Sequence, residues 1–402
     1  MRERFRMFST EIHGHGHGMR GSRKTKNSQN RREFPAFLPT FAKNLRLVHL
    51  KIVDALSLSR RNTMKYTTIM RRTFFFLLLT CWSVMLSARQ KPVVVAYVVS
   101  SQQSVSDPTL MTHINYAFGR VNETFDGVIV DNPENLHKIV SQKKQNPKLR
   151  VSLSIGGWGA GRFSEMAADE KLRESFAKDC RRVVDEFGLD GIDIDWEFPT
   201  VDWANISCRP DDTENYTLMM RDIRKAIGKK KDLTLATMGS AQYIDFPAIL
   251  PYITFVNIMA YDMNRVPLHH SALHKSSINT GFSCEDAIDT HLNKGIPANK
   301  LVLGMPFYGH GTAMYADYVT FPDARPLDNS IEEKWDEEAC VPYLVDSEGN
   351  VVLCFDNVRS ITLKCKYIKE RKIRGGMYWH FHYDNATHDL GRTVAKEILG
   401  HK

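Results

Sequence analysis

An α/β fold, a single-domain (β/α)8 TIM barrel without a large α/β insertion, is what this sequence predicts, on three observations. Eight short apolar runs follow one another from residue 93 on, the strand count of such a barrel. Amphipathic stretches of helical period separate several of them. The interval 93–402 holds 310 residues, against about 250 in a typical barrel. It therefore accommodates one barrel with some long loops.

Taken in order, the strand candidates are VVVAYVV (93–99), HINYAF (113–118), LRVSLSIGG (149–157), LDGIDIDWE (189–197), LTLATM (233–238), ITFVNIMAYD (253–262), LVLGMPFYG (301–309) and GGMYWHF (375–381). A helix is expected over 169–187, where Leu172, Phe176, Val183 and Phe187 recur at roughly helical spacing before Gly188. Further helices are expected over 213–228, 285–294 and 358–372. The longest interval between strands, Gly309 to Gly375, reads as one hairpin, VPYLVDSEGNVVLCF with its turn near Ser347–Asn350, followed by one helix. That leaves no room for an inserted α/β subdomain.

The net charge of +8 is unevenly distributed. Residues 1–92 hold 19 Lys and Arg against 4 Asp and Glu, whereas 93–402 hold 35 against 42. The folded part is mildly acidic, so composition gives no support to a nucleic-acid partner. Residues 1–63 are basic, carry HGHGHG at 13–18 and lack sustained periodicity. They read as a leader, or as sequence upstream of a translation start at Met64 or Met70, and not as a domain. In 64–88, Lys65, Arg71 and Arg72 precede an apolar run, Phe74–Leu86, that ends on Ser87 and Ala88. This is the order of a secretory signal peptide cleaved near Ala88, too short for a membrane span of about 20 residues. Thr80 before Cys81 and the apolar chain after it argue against lipid attachment. The mature product, whose folded domain is 93–402, is expected to be secreted or periplasmic, and monomeric. Its six cysteines, Cys180, Cys208, Cys284, Cys340, Cys354 and Cys365, contain no CxxC pair, which disfavours zinc or thioredoxin-like chemistry. Cys340 and Cys354 flank the hairpin and are as consistent with a bridge as with free thiols, while Cys180 falls on the apolar side of its helix.

The stretch LDGIDIDWEF is the most informative. Alternation puts Asp193, Asp195 and Glu197 on one face and Ile192, Ile194 and Trp196 on the other. Successive acids on that face are about 6.5 Å apart in Cα, so ionising all three in a dry interior is costly and a proton is retained or shared among them. An isolated DxDxE also suits an edge strand with a solvated acidic face. The amphipathic helix before it and the turn at Asp190–Gly191 favour a parallel strand covered on both faces, with Glu197 at the end where barrel enzymes keep their sites. Gly156 and Gly157 serve close backbone packing and not phosphate, since GGWGAG lacks a P-loop Lys. No metal or cofactor is expected.

These residues resemble a known family. DGIDIDWE, 190–197, fits the DxxDxDxE signature of glycoside hydrolase family 18, the chitinases and their relatives. SLSIGGW at 152–158 resembles the family's SxGG strand and MAYD at 259–262 its MxYD strand. MPFYG at 305–309 and GGMYW at 375–379 resemble two later strands, with AY at 96–97 and INYAF in the places of the first two. The resemblance spans about 93–390 with the motifs in order. It implies that Glu197 is the general acid/base, that Asp195 holds the substrate's acetamido group, and that Asp193 is its buried partner. Tyr261 would hydrogen-bond the acetamido carbonyl, Asp262 would bind sugar hydroxyls or help orient that group, and Trp379 would floor the cleavage point. Tyr97, Phe118, Ser154, Trp158, Met259 and Tyr308 match further lining or supporting positions. For Ser154, Phe118 and Met259, packing comes ahead of sugar contact. Tyr216, Trp203 and Trp335 are aromatics whose role the sequence leaves undecided.

One departure stands out: many relatives continue FYG with Arg, where this chain has His310, which puts sugar binding on one side of the cleavage point in question. The short 309–375 interval implies an open groove, and action on soluble or short chains is expected over attack on crystalline chitin. The implied activity is hydrolysis of β-1,4-linked N-acetylglucosamine chains by a substrate-assisted, retaining route. An endo-β-N-acetylglucosaminidase acting on N-glycan or peptidoglycan-type chains remains open, as does a non-catalytic chitin-binding lectin, which the presence of Glu197 disfavours.

Overall fold

The computed structural model describes residues 91–401 apart from Gln103 and Ala313. The expected leader (1–63) and signal peptide (64–88) lie outside the described residues. The first eight strands are β1 (Val93–Val99), β2 (His113–Val121), β3 (Val128–Val130), β4 (Arg150–Gly156), β5 (Gly191–Asp195), β6 (Asp232–Met238), β7 (Val256–Met259) and β8 (Leu301–Pro306). A second sheet follows, made of β9 (Tyr308–Gly311), β10 (Val319–Thr320), β11 (Glu332–Asp336), β12 (Val341–Val345) and β13 (Val351–Cys354). The last strand is β14 (Gly375–Trp379).

All eight predicted strands form and pair in parallel in the order β1-β14-β8-β7-β6-β5-β4-β2, and β1 also pairs with β2, so the sheet closes on itself. β3 is an antiparallel addition to the β2 edge. At the seam, Val93 pairs with Gly375. A Cβ on Gly375 would fall 1.9 Å from the Val93 carbonyl oxygen, so only glycine lets the two strands meet there.

Alternation sorts the side chains. Outward residues such as Val94, Leu153, Ile192, Ile194, Leu233 and Leu235 pack in the large cluster shared with the helices. Inward residues, among them Val95, Tyr97, Ala236, Met259, Val302 and Met377, fill the barrel. Helix Glu170–Glu186 starts at Asp169, whose carboxylate accepts from the backbone N–H groups of Lys171 and Leu172. Its Phe176, Ala177, Cys180, Val183 and Val184 are buried, so Cys180 is a core residue. The other expected helices occur as Asp212–Ile227, Cys284–Asn293 and Val358–Glu370. Among the described residues, no helix is long and apolar enough to cross a membrane.

The interval between β8 and β14 holds no α/β subdomain, but it holds more than one hairpin. β12 and β13 form the expected hairpin, and β9, β10 and β11 extend it to five antiparallel strands in the order β10-β9-β13-β12-β11. This sheet buries a small core of its own, including Tyr315, Ile331, Leu344, Leu353 and Phe355. Strands β10 and β11 escape sequence reading because one is two residues long and the other, EEKWD, is mostly exposed and charged. The six described cysteines are free thiols, so the Cys340–Cys354 bridge does not form. Across the hairpin, Cys354 is registered with Tyr343 instead.

Candidate active site

The acids of β5 point into the barrel as alternation requires: Asp193, Asp195 and Glu197 are 0%, 4% and 4% exposed, while Ile192, Ile194 and Trp196 face the helices. Asp195 ends β5 and Glu197 lies two residues beyond, at the carboxyl end of the barrel. Gly156 of β4 fixes how close the neighbouring backbone comes. Its φ is +131° and a Cβ there would fall 2.0 Å from the Asp195 carbonyl oxygen. The Gly157 N–H donates to the same carbonyl at 2.8 Å. The SxGG stretch thus sets the position of Asp195 through backbone packing, the role expected of its glycines.

Below the mouth, Asp193 accepts four hydrogen bonds. Tyr97 Oη (2.7 Å) and Ser154 Oγ (2.8 Å) donate to its Oδ2, and Thr234 Oγ1 (2.5 Å) and Asn257 Nδ2 (3.2 Å) to its Oδ1. Burial pushes the Asp193 carboxyl above the usual carboxylate range, and the four donors pull against that shift. Burial, followed by the nearby carboxylates of Asp193 and Asp195, pushes the Tyr97 hydroxyl far up, so it stays a donor. The sequence alone does not single out Thr234 and Asn257. Their signal was a polar residue at an inward position of an otherwise apolar strand.

Above Asp193 opens a cavity of about 150 Å³ lined by Tyr97, Phe118, Trp158, Asp195, Glu197, Ala236, Met259, Tyr261, Tyr318 and Trp379. Eight of the expected site residues meet there. Trp379 lies against Phe118 with ring centroids 5.7 Å apart and planes 23° from parallel, and tilts against Tyr97 at 5.6 Å. Two buried carboxyl groups beside such an aromatic wall suit acid–base work on a substrate with apolar faces. Ala236 and Tyr318 are additions to the expected set. Tyr318 comes from the inserted segment between β9 and β10, so that interval contributes one residue to the cavity wall.

Three expected positions differ. Tyr308 is 2% exposed and outside the cavity lining, with its hydroxyl donating to Asp262 Oδ1 at 2.6 Å. Asp262 itself adjoins the cavity beside Tyr261 and Tyr318 rather than lining it, and Tyr318 Oη reaches its Oδ2 at 3.5 Å. His310 is 1% exposed and sits behind Asp262, so it is not a sugar-facing replacement for Arg. Of the undecided aromatics, Tyr216 stacks on Trp196 in the outer core and Trp335 lies under the Arg359 guanidinium. Trp203 packs on Phe198 and Tyr243, next to the loop that follows Glu197.

Residues 93–384 match the family description "Glycosyl hydrolases family 18". The chain belongs to this family. It is 30% identical to Chitinase A1 of Niallia circulans over 328 residues, which cover 70% of this chain and 46% of that protein. It is 29% identical to Chitotriosidase-1 of Mus musculus over 343 residues, covering 73% of each. Among solved structures, the family 18 N-acetylglucosaminidase from Paenibacillus barengoltzii superposes with a TM-score of 0.69 at 31% identity, over 76% of this chain and all of that one. The chain thus spans less than half of one of these chitinases and about three quarters of the other. Within the family it is a chitinase-like glycoside hydrolase.

Proposed function

We propose that this family 18 member hydrolyses β-1,4-linked N-acetylglucosamine chains with the substrate's own acetamido group as nucleophile. The observation that carries the reading is the convergence of Glu197, Asp195, Tyr261 and Trp379 on one cavity. Glu197 donates its proton to the glycosidic oxygen as that bond breaks. The acetamido carbonyl oxygen attacks the anomeric carbon, Asp195 accepts from the acetamido N–H, and Tyr261 Oη donates to the carbonyl oxygen. An oxazolinium ion results, stabilised by the Asp195 carboxylate. Glu197, now a carboxylate, takes a proton from water as it opens the ring, and the β configuration is retained. Trp379 supplies the floor for the sugar's apolar face. Asp193 positions Asp195 through their shared strand. The basic, apolar and small-residue order of 64–88 supports export of the mature chain, and nothing in the composition calls for a partner other than the glycan.

The test is turnover of chito-oligosaccharides followed by early-time NMR of the products. We expect β-anomers, no turnover of cello-oligosaccharides, and at least about a 10²-fold loss of rate in Glu197→Gln with ligand binding kept. Inverted products or comparable cello-oligosaccharide hydrolysis would overturn the mechanism. A second reading, removal of single N-acetylglucosamine units from chain ends, is favoured by the compact cavity and by the likeness to the Paenibacillus enzyme. Monosaccharide as the sole early product would select it.

A further inference from the structure

Behind the catalytic cavity, three side chains far apart in sequence converge on one point. Asp262 follows β7, His270 lies in the loop after it, and His310 is on β9 of the inserted sheet. One ligand atom from each lies within 4.8 Å of the others. His310 Nε2 is 2.8 Å and His270 Nδ1 is 3.6 Å from Asp262 Oδ1. The two imidazole rings stand edge to face, centroids 4.7 Å apart. Two donors on one tetrahedral zinc ion, each about 2.0–2.2 Å from it, are about 3.3 Å apart. The observed separations bracket that value.

Two further observations point to a ligand. His270 is 1% exposed, and among the described residues its Nε2 has no hydrogen-bond partner while its Nδ1 has only the 3.6 Å approach to Asp262. Buried polar groups ordinarily find one. His310 Nδ1 lies 2.7 Å from the backbone oxygen of Asp317. Donation there aims Nε2 at the cluster, so that an ion entering would displace the proton Nε2 shares with Asp262, and the outer-shell contact is the arrangement that orients metal-ligating histidines. Tyr308 Oη braces the same carboxylate oxygen of Asp262. Asp262 is the partly exposed member of the three, which puts the way in on the side of the cavity.

We propose that Asp262, His270 and His310 form a binding site for a borderline divalent transition-metal ion, Zn²⁺ being the best match to two imidazoles and one carboxylate, with water as fourth ligand. The ion occupies the carboxylate expected to bind sugar hydroxyls or orient the acetamido group, beside Tyr261 of the cavity, so it lowers activity when bound. Binding stands independently of the catalytic reading, and only the loss of activity rests on it. The site differs from the HGHGHG run at 13–18, which is itself a metal-binding candidate.

The experiment is calorimetric titration of Zn²⁺ into the full chain carrying His13→Ala, His15→Ala and His17→Ala, alone and with His270→Gln or His310→Gln. One ion per chain is expected, with affinity at least about tenfold weaker in either Gln variant. Zn²⁺ should raise the thermal midpoint of the parent, and Co²⁺ should give a visible ligand-field absorption that His270→Gln abolishes. Should one Gln variant fail to fold, the other and Asp262→Asn decide the matter. No bound ion, or an ion bound equally well by the Gln variants, would overturn the site. Zn²⁺ binding without a fall in chito-oligosaccharide turnover would overturn its inhibitory consequence.

Discussion

Two buried aspartates of this barrel are held in opposite ways. Asp193 lies inside the barrel, and its partners Tyr97, Ser154, Thr234 and Asn257 come from β1, β4, β6 and β7. All four are uncharged donors on inward strand positions. Asp262 lies at the rim, and its partners His270, Tyr308, His310 and Tyr318 come from a loop and the inserted sheet. We expect loss of the first, held by neutral donors on regular strands, to be felt in stability as well as in the placing of Asp195, and loss of the second, held by imidazoles and phenols on irregular segments, to be felt mainly in function.

The sharpest test of this contrast is to remove each acid. Asp193→Ala strands four buried donors and should cost about 4 kcal/mol at roughly 1 kcal/mol per lost acceptor, read from urea midpoints. Asp262→Ala, at a side chain 10% exposed, should cost no more than about 2 kcal/mol while depressing kcat/KM. Equal stability losses would break the comparison.

A second test uses pH. The folded Asp193 carboxyl titrates above its ordinary value because burial disfavours the charged form. The native state then holds more protons than the unfolded chain between those two values, so this group's stabilisation is complete below the ordinary carboxylate range and is lost as pH rises through the folded value. Asp193→Asn imitates the neutral acid and lacks this loss. Urea midpoints of parent and variant should therefore shift in the variant's favour as pH rises; a parallel pair of profiles would refute the assignment.

The smallest effects separate single donors. Thr234→Val removes one donor to Asp193 and should cost about 1 kcal/mol with little change in KM. Tyr308→Phe removes one donor to Asp262 and should cost less than about 1 kcal/mol in stability while raising KM about threefold. The reverse pattern would show that Tyr308 is scaffold.

The same contrast explains what the sequence made legible. Period-two alternation is read directly, so the eight strands, the outward Ile192, Ile194 and Trp196 and the inward Asp193, Asp195 and Glu197 were placed correctly. Thr234 and Asn257 obey that alternation too, but one polar residue on an apolar strand says nothing of its partner until strand order is known. Asp262, His270 and His310 are separated by 8 and 40 positions with no period, and only the fold of the β9 segment brings them together. For the same reason the sequence shows only one hairpin of the inserted sheet and gives no sign of Tyr318 in the cavity wall.

The seam between β1 and β14 bears on how the protein comes to exist at all. The strands that close the barrel, paired at Val93 and Gly375, are made roughly 280 residues apart, which at 5–20 residues per second is on the order of tens of seconds of synthesis. Throughout that interval β1 presents an unpaired, apolar edge of the kind that invites pairing with other chains. The final strand is therefore as decisive for solubility as for chemistry. A side chain at Gly375 would prolong that exposure, turning the barrel's last step into an aggregate's first.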